Sequence, residues 1–251
     1  MKPLGTTRTV VHRNHAFIAP DGHVVQSLPG WTNTKGVILI SPRLGARFIQ
    51  YIAHLEAGSE ATRALPGVER FVFVMEGSVV VEVAGKATTL LAHHYAWLPA
   101  DVAHKISASG PGRAMVFEKY YHERLGVAAP KAIVGELAKC VSTPFLGDPD
   151  ATLQLMLPDE PGFDMAVNVF TYRPGAALPF VETHIMEHGL TMLSGAGIYR
   201  LDDQWYPTQA GDTIWMGPYC PQWFCCHGKE NAAYIYYKDI NRDALAPEEL
   251  P

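Results

Sequence analysis

Glu182, His184 and His188 fall in one short run, Glu182-Thr183-His184-Ile185-Met186-Glu187-His188, and Gln222 follows farther along the chain. On a strand, positions two apart point to the same face, so Glu182 and His184 project together. His188 has the same parity and can join them after a turn. Gln222 belongs to a separate strand pattern and has to be delivered by the fold. A carboxylate, two imidazoles and an amide oxygen converging inside a small barrel could hold one divalent ion. None of the four donors is a thiolate, so the set suits Mn²⁺ and also accepts Fe²⁺, Co²⁺, Ni²⁺ or Zn²⁺. Taken singly, each has an ordinary reading: a histidine on an apolar strand is usually a packed, hydrogen-bonded core residue, and Gln222 alone would be a turn amide.

Other residues carry weaker signals. In Tyr234-Ile235-Tyr236-Tyr237-Lys238, alternation puts Tyr234, Tyr236 and Lys238 on one face. Lys238 is then either a surface charge at a strand end or a cation inside the barrel, placed to pair with a substrate carboxylate. Tyr199 follows Gly195 and Gly197 on one face, where small residues leave room for a ligand, and it reads as a pocket hydroxyl or a core aromatic. Cys220, Cys225 and Cys226 lie near Gln222, but adjacent cysteines do not easily face one ion, and small residues at a barrel rim are the better reading. His93 and His94 are adjacent and point to opposite faces, which argues against a joint site. Glu69 reads as a strand-end charge.

The elements that must position these groups are short strands. Apolar runs such as Phe71-Val72-Phe73-Val74-Met75 and Val79 to Val83 end at turn signals, Glu76-Gly77 and Ala84-Gly85-Lys86. Such spacing is that of an antiparallel sandwich or barrel. One helix is expected, Pro130 to Lys139, inside an inter-domain connection over 126–150 that ends at Gly147-Asp148-Pro149. A shift of 118 residues superposes two blocks. It lays Gly77 on Gly195, Trp97 on Trp215, His104 on Gln222 and Arg124 on Arg242. A repeat at fixed offset argues for two similar barrels in tandem. The expected division is a first barrel with its N-terminal arm over 1–125, the connection over 126–150, and a second barrel over 151–251. Where the second copy has Glu182, His184 and His188, the first has Ala64, Pro66 and Arg70, keeping only His104. The first barrel is expected to bind no metal and to serve structure or an oligomer interface.

Composition narrows the function classes. The chain has 251 residues, 48% hydrophobic and 18% charged, with a net charge of −5. That is enough apolar material for a packed core. No Lys/Arg cluster matches a phosphate backbone, so nucleic acid is not an expected partner. No signal-peptide h-region and no run of about 20 apolar residues is present, which points away from a membrane. Four cysteines suggest no disulfide framework, so a cytoplasmic location is expected.

The spacing Gly175 … Glu182-x-His184-x3-His188 … Gly195, followed by Gly211, Pro218 and Gln222, resembles the two motifs of the cupin superfamily. The frame is kept with its donors reshuffled. The resemblance implies an all-β fold of two tandem cupin (jelly-roll) barrels. The reshuffled donors, together with Asn14-His15-Ala16-Phe17, ETHIMEHG, GAGIYRLDDQWYP, GDTIWMG and YIYYKDINRD, are similar to the (S)-ureidoglycine aminohydrolase family. That resemblance implies conversion of (S)-ureidoglycine and water to (S)-ureidoglycolate and ammonia in purine (allantoin) catabolism. It implies one Mn²⁺ per chain on Glu182, His184, His188 and Gln222. A neutral Gln222 where cupins carry their last imidazole makes a weaker ligand and a more Lewis-acidic ion. The catalytic group would comprise Lys238, Glu182 and Tyr199, with Lys238, Tyr199, Tyr234 and Tyr236 contacting a small ureide, in a homo-oligomer.

Two other classes compete. A cupin dioxygenase or decarboxylase needs redox chemistry on a three-His, one-Glu site, and Gln222 speaks against it; oxygen consumption would revive it. A binding-only cupin needs no set of four donors, and no helix-turn-helix or basic face suggests a regulator.

Overall fold

The computed structural model describes residues 6–62 and 64–243. Among them the only helical pieces are three 3₁₀ turns, Pro20–Gly22, Pro42–Leu44 and Leu137–Lys139. The remaining regular structure is strand, as the alternating patterns anticipate. Ser78–Val83 shows why: Val79 and Val81 are buried while Val80 and Glu82 face outward, the period of a half-buried strand.

The repeat is present in the backbone. Strands Ser78–Val83, Lys86–Leu91 and His104–Ala108 lie 118 positions before Ala196–Leu201, Gln204–Gln209 and Gln222–Cys226. Gly77 and Gly195 open the repeat with φ of 75° and 71°. A Cβ at Gly195 would stand 2.4 Å from the Asn231 carbonyl oxygen, and one at Gly77 would stand 2.5 Å from that of Pro111. Both positions therefore require glycine.

The chain divides into two compact units. One comprises Val24–Val141, Met156–Ala166 and the described residues from Ile240. It contains a seven-stranded and a five-stranded antiparallel sheet. Val72, Val74, Ala114 and Val116 of the first sheet pack with Val79, Val81, Leu90 and Ile106 of the second. The other unit comprises the described arm to His23, Ser142–Leu155 and Val167–Asp239. Its sheets have eight and three strands, with Leu190, Met192 and Tyr234 packed against Tyr199, Leu201 and Phe224. Each such fully buried side chain contributes about 1.5–3 kcal/mol.

Three local expectations are corrected. The helix expected over Pro130 to Lys139 is the strand Ile133–Glu136 followed by a 3₁₀ turn. Ile133 and Val134 are β-branched, and the segment pairs with His94–Leu98. Gly135 lies so close to Tyr95 that a Cβ would stand 2.4 Å from the ring. The end of the expected connection is a hairpin, Ser142–Phe145 with Asp148–Leu155. Its two loop residues, Leu146 and Gly147, both have positive φ, as a type I′ turn demands. The arm, expected with the first barrel, pairs His15–Ile18 with Thr213–Met216 of the second.

Candidate metal centre

Glu182 and Gln222 are placed opposite each other by an isolated antiparallel bridge. The Glu182 N–H donates to the Gln222 carbonyl at 2.8 Å, and the Gln222 N–H donates back at 2.9 Å. The sequence pattern put Glu182 and His184 on a strand; this bridge and an irregular segment carry them instead. Glycine and proline around the segment, Gly175 to Pro179, interrupt ladder pairing. Tyr219 N–H donates to the His184 carbonyl at 2.7 Å, tying the segment to the loop before Gln222. His188 begins the strand His188–Ser194, paired with Met216 on one side and Lys238 on the other.

Three of the four expected donors converge. His184 Nε2 lies 3.1 Å from His188 Nε2 and 2.9 Å from Gln222 Nε2. His184 Nδ1 is 3.1 Å from the Met186 carbonyl. A carbonyl only accepts, so Nδ1 carries the proton and Nε2 presents its lone pair to the cavity. A backbone partner of this kind fixes the tautomer of a metal-binding histidine. Two nitrogens each about 2.1 Å from one ion at a right angle lie roughly 3 Å apart, which is the separation of the two imidazoles. Gln222 Oε1 accepts from the Tyr199 hydroxyl at 3.4 Å. Turning the amide over exchanges its ends and offers the oxygen to the imidazoles instead.

Glu182 lines the same cavity, of about 110 Å³, as do Lys238, Tyr199, Tyr234 and Tyr236. Among the described residues, no three His, Cys, Asp or Glu groups gather closely enough to hold an ion. The convergence is thus two imidazoles and an amide, with the carboxylate on the same wall. The donor set fits a divalent cation of borderline hardness. A larger cavity, about 450 Å³, lies in the first unit beside Trp97 and Tyr120. Its wall has Asp101 and Glu123 but no imidazole, so size alone does not mark the chemistry. The 110 Å³ space admits only a small ligand, well below the roughly 300–1,000 Å³ of drug-sized pockets.

Burial dominates the electrostatics. It lowers the His188 pKa well below the ordinary histidine value, with the neighbouring His184 and Lys238 acting in the same direction. It lowers that of His184 too, again helped by Lys238. Both imidazoles are neutral at pH 7, the state that binds metal. Burial raises the Glu182 carboxyl while Lys238 opposes the rise. The Tyr236 hydroxyl is pushed up to about 12 by burial, so it donates rather than ionises.

The sequence reading missed the supports of this site. Phe145, Phe170, Met186 and Leu190 also line the cavity. Tyr236 stacks on His188 at 5.5 Å and accepts from the Asn168 amide at 3.1 Å. The hydroxyls of Tyr172 and Tyr234 are 3.1 Å apart. Alternation of Asn168, Phe170 and Tyr172 along Met165–Tyr172 was the available signal.

In the first unit, Arg70 stands at the position equivalent to His188. Its Nε donates to Glu118 at 2.6 Å, and its Nη1 donates to the Thr62 carbonyl at 2.7 Å and to His104 Nε2 at 3.0 Å. Burial and the guanidinium push His104 down to about 4. A built-in cation occupies this barrel where the other presents lone pairs. Glu69, expected as a strand-end charge, is fully buried and accepts from Trp97 Nε1 at 2.9 Å. Its repeat partner Glu187 accepts from Trp215 at 3.3 Å. The Trp97/Trp215 match was visible in the sequence, but the acid beneath each indole was not.

No protein-family model matches the chain. It is 42% identical over 244 residues to a probable (S)-ureidoglycine aminohydrolase of Oryza sativa subsp. japonica, covering 96% of this chain and 78% of that one. It is 34% identical over 244 residues to the (S)-ureidoglycine aminohydrolase of Escherichia coli K12, covering 96% and 94%. Among solved structures, the protein Ylba from E. coli aligns with a TM-score of 0.84 at 32% identity, over 95% of this chain and 96% of that one. A cupin 2 conserved barrel domain protein from Leptotrichia buccalis aligns with a TM-score of 0.62 at 12% identity, over 89% and 96%. The second likeness shows the fold alone, and with the strand repeat it identifies two tandem cupin barrels.

Proposed function

The chain belongs to the (S)-ureidoglycine aminohydrolase family, and we propose that it converts (S)-ureidoglycine and water to (S)-ureidoglycolate and ammonia in the cavity of its second barrel. One observation carries this reading. The bare Nε2 of His184, the Nε2 of His188 and the Gln222 amide converge beside a lysine, within a space sized for a small molecule.

His184, His188, Gln222 and Glu182 are the residues to hold one divalent ion, and manganese is the ion we assign. Bound there, it would act as template and Lewis acid rather than redox centre. The remaining work falls to this chain's own side chains. Lys238 pairs with the substrate carboxylate and so orients the reacting carbon. Tyr199 and Tyr234, both buried with their hydroxyls un-ionised, supply hydrogen bonds to the ureido and amino groups. Phe145 and Phe170 limit the access of bulk water. In the reaction the carbon–nitrogen bond to the amino group breaks and a carbon–oxygen bond to water forms. The water proton passes to the departing nitrogen as ammonia. The half-buried Glu182 carboxyl is the group nearest in character to a proton carrier, although a ligating carboxylate is a weaker base. Fixing the carboxylate at Lys238 while the amine faces the ligands would leave one face of the carbon open and so set the handedness of the product.

We extend the reading to a cytoplasmic homo-oligomer acting in purine breakdown. No helix among the described residues is long and apolar enough to cross a membrane. The test is ammonia release from freshly generated (S)-ureidoglycine, with chiral analysis of the product. Chelator-treated protein is expected to lose turnover and to recover it with Mn²⁺. Full turnover by protein shown to be metal-free would overturn the reading.

A further inference from the structure

The ligand-bearing barrel is closed by a strand taken from the other end of the chain. In the first unit, His94–Leu98 lies between Val68–Glu76 and Ile133–Glu136. In the second, the equivalent strand Thr213–Met216 lies between His188–Ser194 and the arm strand His15–Ile18. The arm therefore fills the place that Ile133–Glu136 fills in the first barrel. Its register is direct: His15 pairs with Met216, Met216 with His188, and His188 with Lys238. The arm is thus two strands from a ligand and three from the lysine, in one cross-strand row whose side chains share a face.

The arm is fastened at both ends of Thr213–Met216. Before it, the Arg8 guanidinium grips Asp212 through Nη1 to Oδ2 at 3.0 Å and Nη2 to Oδ1 at 2.6 Å. The Asp212 side chain is fully buried, and its carbonyl accepts from Met192 N–H at 2.9 Å, inside the strand that His188 begins. After it, Gly217 N–H donates to the Asn14 carbonyl at 2.8 Å. The arm also reaches the smaller sheet. The Asn14 amide donates to Asp202 at 2.8 Å, His15 Nε2 is 2.9 Å from the Tyr206 hydroxyl, and Phe17 stacks on Tyr206 at 5.2 Å. An arm serving only to cover an edge would need none of these bonds to the facing sheet.

We propose that the N-terminal arm is the closing strand of the metal-bearing barrel and holds His188 in register for the ion through Met216, with Arg8 and Asn14 as its positioning residues. The proposal rests on the metal-centre reading given above. An ion is sensitive to ligand placement within a few tenths of an ångström, and groups that orient ligands without touching the ion typically change affinity by roughly ten- to a hundredfold. Removing Arg8 strips the buried Asp212 carboxylate of its cation and leaves it the Gln209 N–H at 2.9 Å, and Thr213–Met216 then shifts or loosens against His188.

The test uses the full chain, with Mn²⁺ titrated into chelator-treated protein. Wild type, Arg8→Leu, Asn14→Ala and Arg113→Gln are compared; Arg113 forms an exposed ion pair with Glu76 in the other unit and serves as control. Arg8→Leu is expected to weaken Mn²⁺ binding roughly tenfold or more. Its far-ultraviolet circular dichroism should stay native, and saturating Mn²⁺ should restore kcat. Asn14→Ala should weaken binding less and in the same direction, and it keeps the test open if Arg8→Leu does not fold. Equal affinity in folded Asn14→Ala and Arg8→Leu, or an equal loss in the Arg113→Gln control, overturns the proposal. Absence of Mn²⁺ binding in wild type would instead bring down the metal-centre reading on which it stands.

Discussion

Replacing Lys238 by methionine isolates the role of charge in the cavity. Met keeps most of the apolar stem and removes the ammonium. If the ammonium holds the substrate carboxylate, the loss is one charge-assisted hydrogen bond, about 1.5–3 kcal/mol, or roughly ten- to 150-fold in kcat/KM. The carboxylate keeps its charge through the reaction, so the bond is made in ground and transition states alike, and most of the loss should fall on KM. The metal should not be lost with it. Lys238 helps to lower the pKa of His184 and His188 and opposes the rise of Glu182. It is a positive charge beside a cation site, and removing it relieves repulsion. Steady-state ammonia release and elemental analysis on the same preparation read both quantities. Metal content should stay at the wild-type level while KM rises. Loss of metal together with activity, or an unchanged KM, would refute the assignment of Lys238 to the carboxylate.

The first barrel makes two further predictions. Arg70→Met removes a buried guanidinium that bonds Glu118, Thr62 and His104, which should cost about 3–5 kcal/mol of that unit's stability without changing metal content; calorimetry with elemental analysis checks it. His104 has a folded pKa of about 4 against about 6.5 unfolded. Between those values the unfolded chain binds the proton first, so this group's contribution is full above about pH 6.5 and is lost as pH falls toward 4, to at most about 3 kcal/mol. Urea unfolding of wild type and His104→Gln across that range should differ in slope, and parallel curves would remove His104 as the cause.

The parts of this molecule that were legible in the sequence are those governed by local pattern. Alternation in Ser78–Val83 and the 118-residue repeat expose strands whose faces are decided by burial. The parity of 182, 184 and 188 and the echo of His104 in Gln222 located a shared cavity even though Glu182 and His184 lie outside regular strand. What escaped depends on distant partners. Pro130 to Lys139 reads as helix until His94–Leu98 offers its edge. The arm resembles a leading segment until Thr213–Met216 needs a neighbour. Arg70 appears in the sequence only as a missing ligand, whereas its guanidinium reaches residues 34 and 48 positions away. Glu69 and Glu187 appear as charges until the Trp97 and Trp215 indoles cover them. Hydrophobic period reports which face is buried, but it does not report which polar group will meet which across the core.

In the proposed metal centre, side chains at 182, 184, 188 and 222 enclose one divalent ion. Anomalous X-ray diffraction at the manganese edge, from crystals of protein purified without added chelator and supplied with Mn²⁺, addresses it most directly. A single anomalous peak per chain is expected in the second barrel, within about 2.0–2.3 Å of His184 Nε2 and His188 Nε2, and none beside Arg70. A peak elsewhere, or none with His184 still bonded to His188 and to the Gln222 amide, would overturn it.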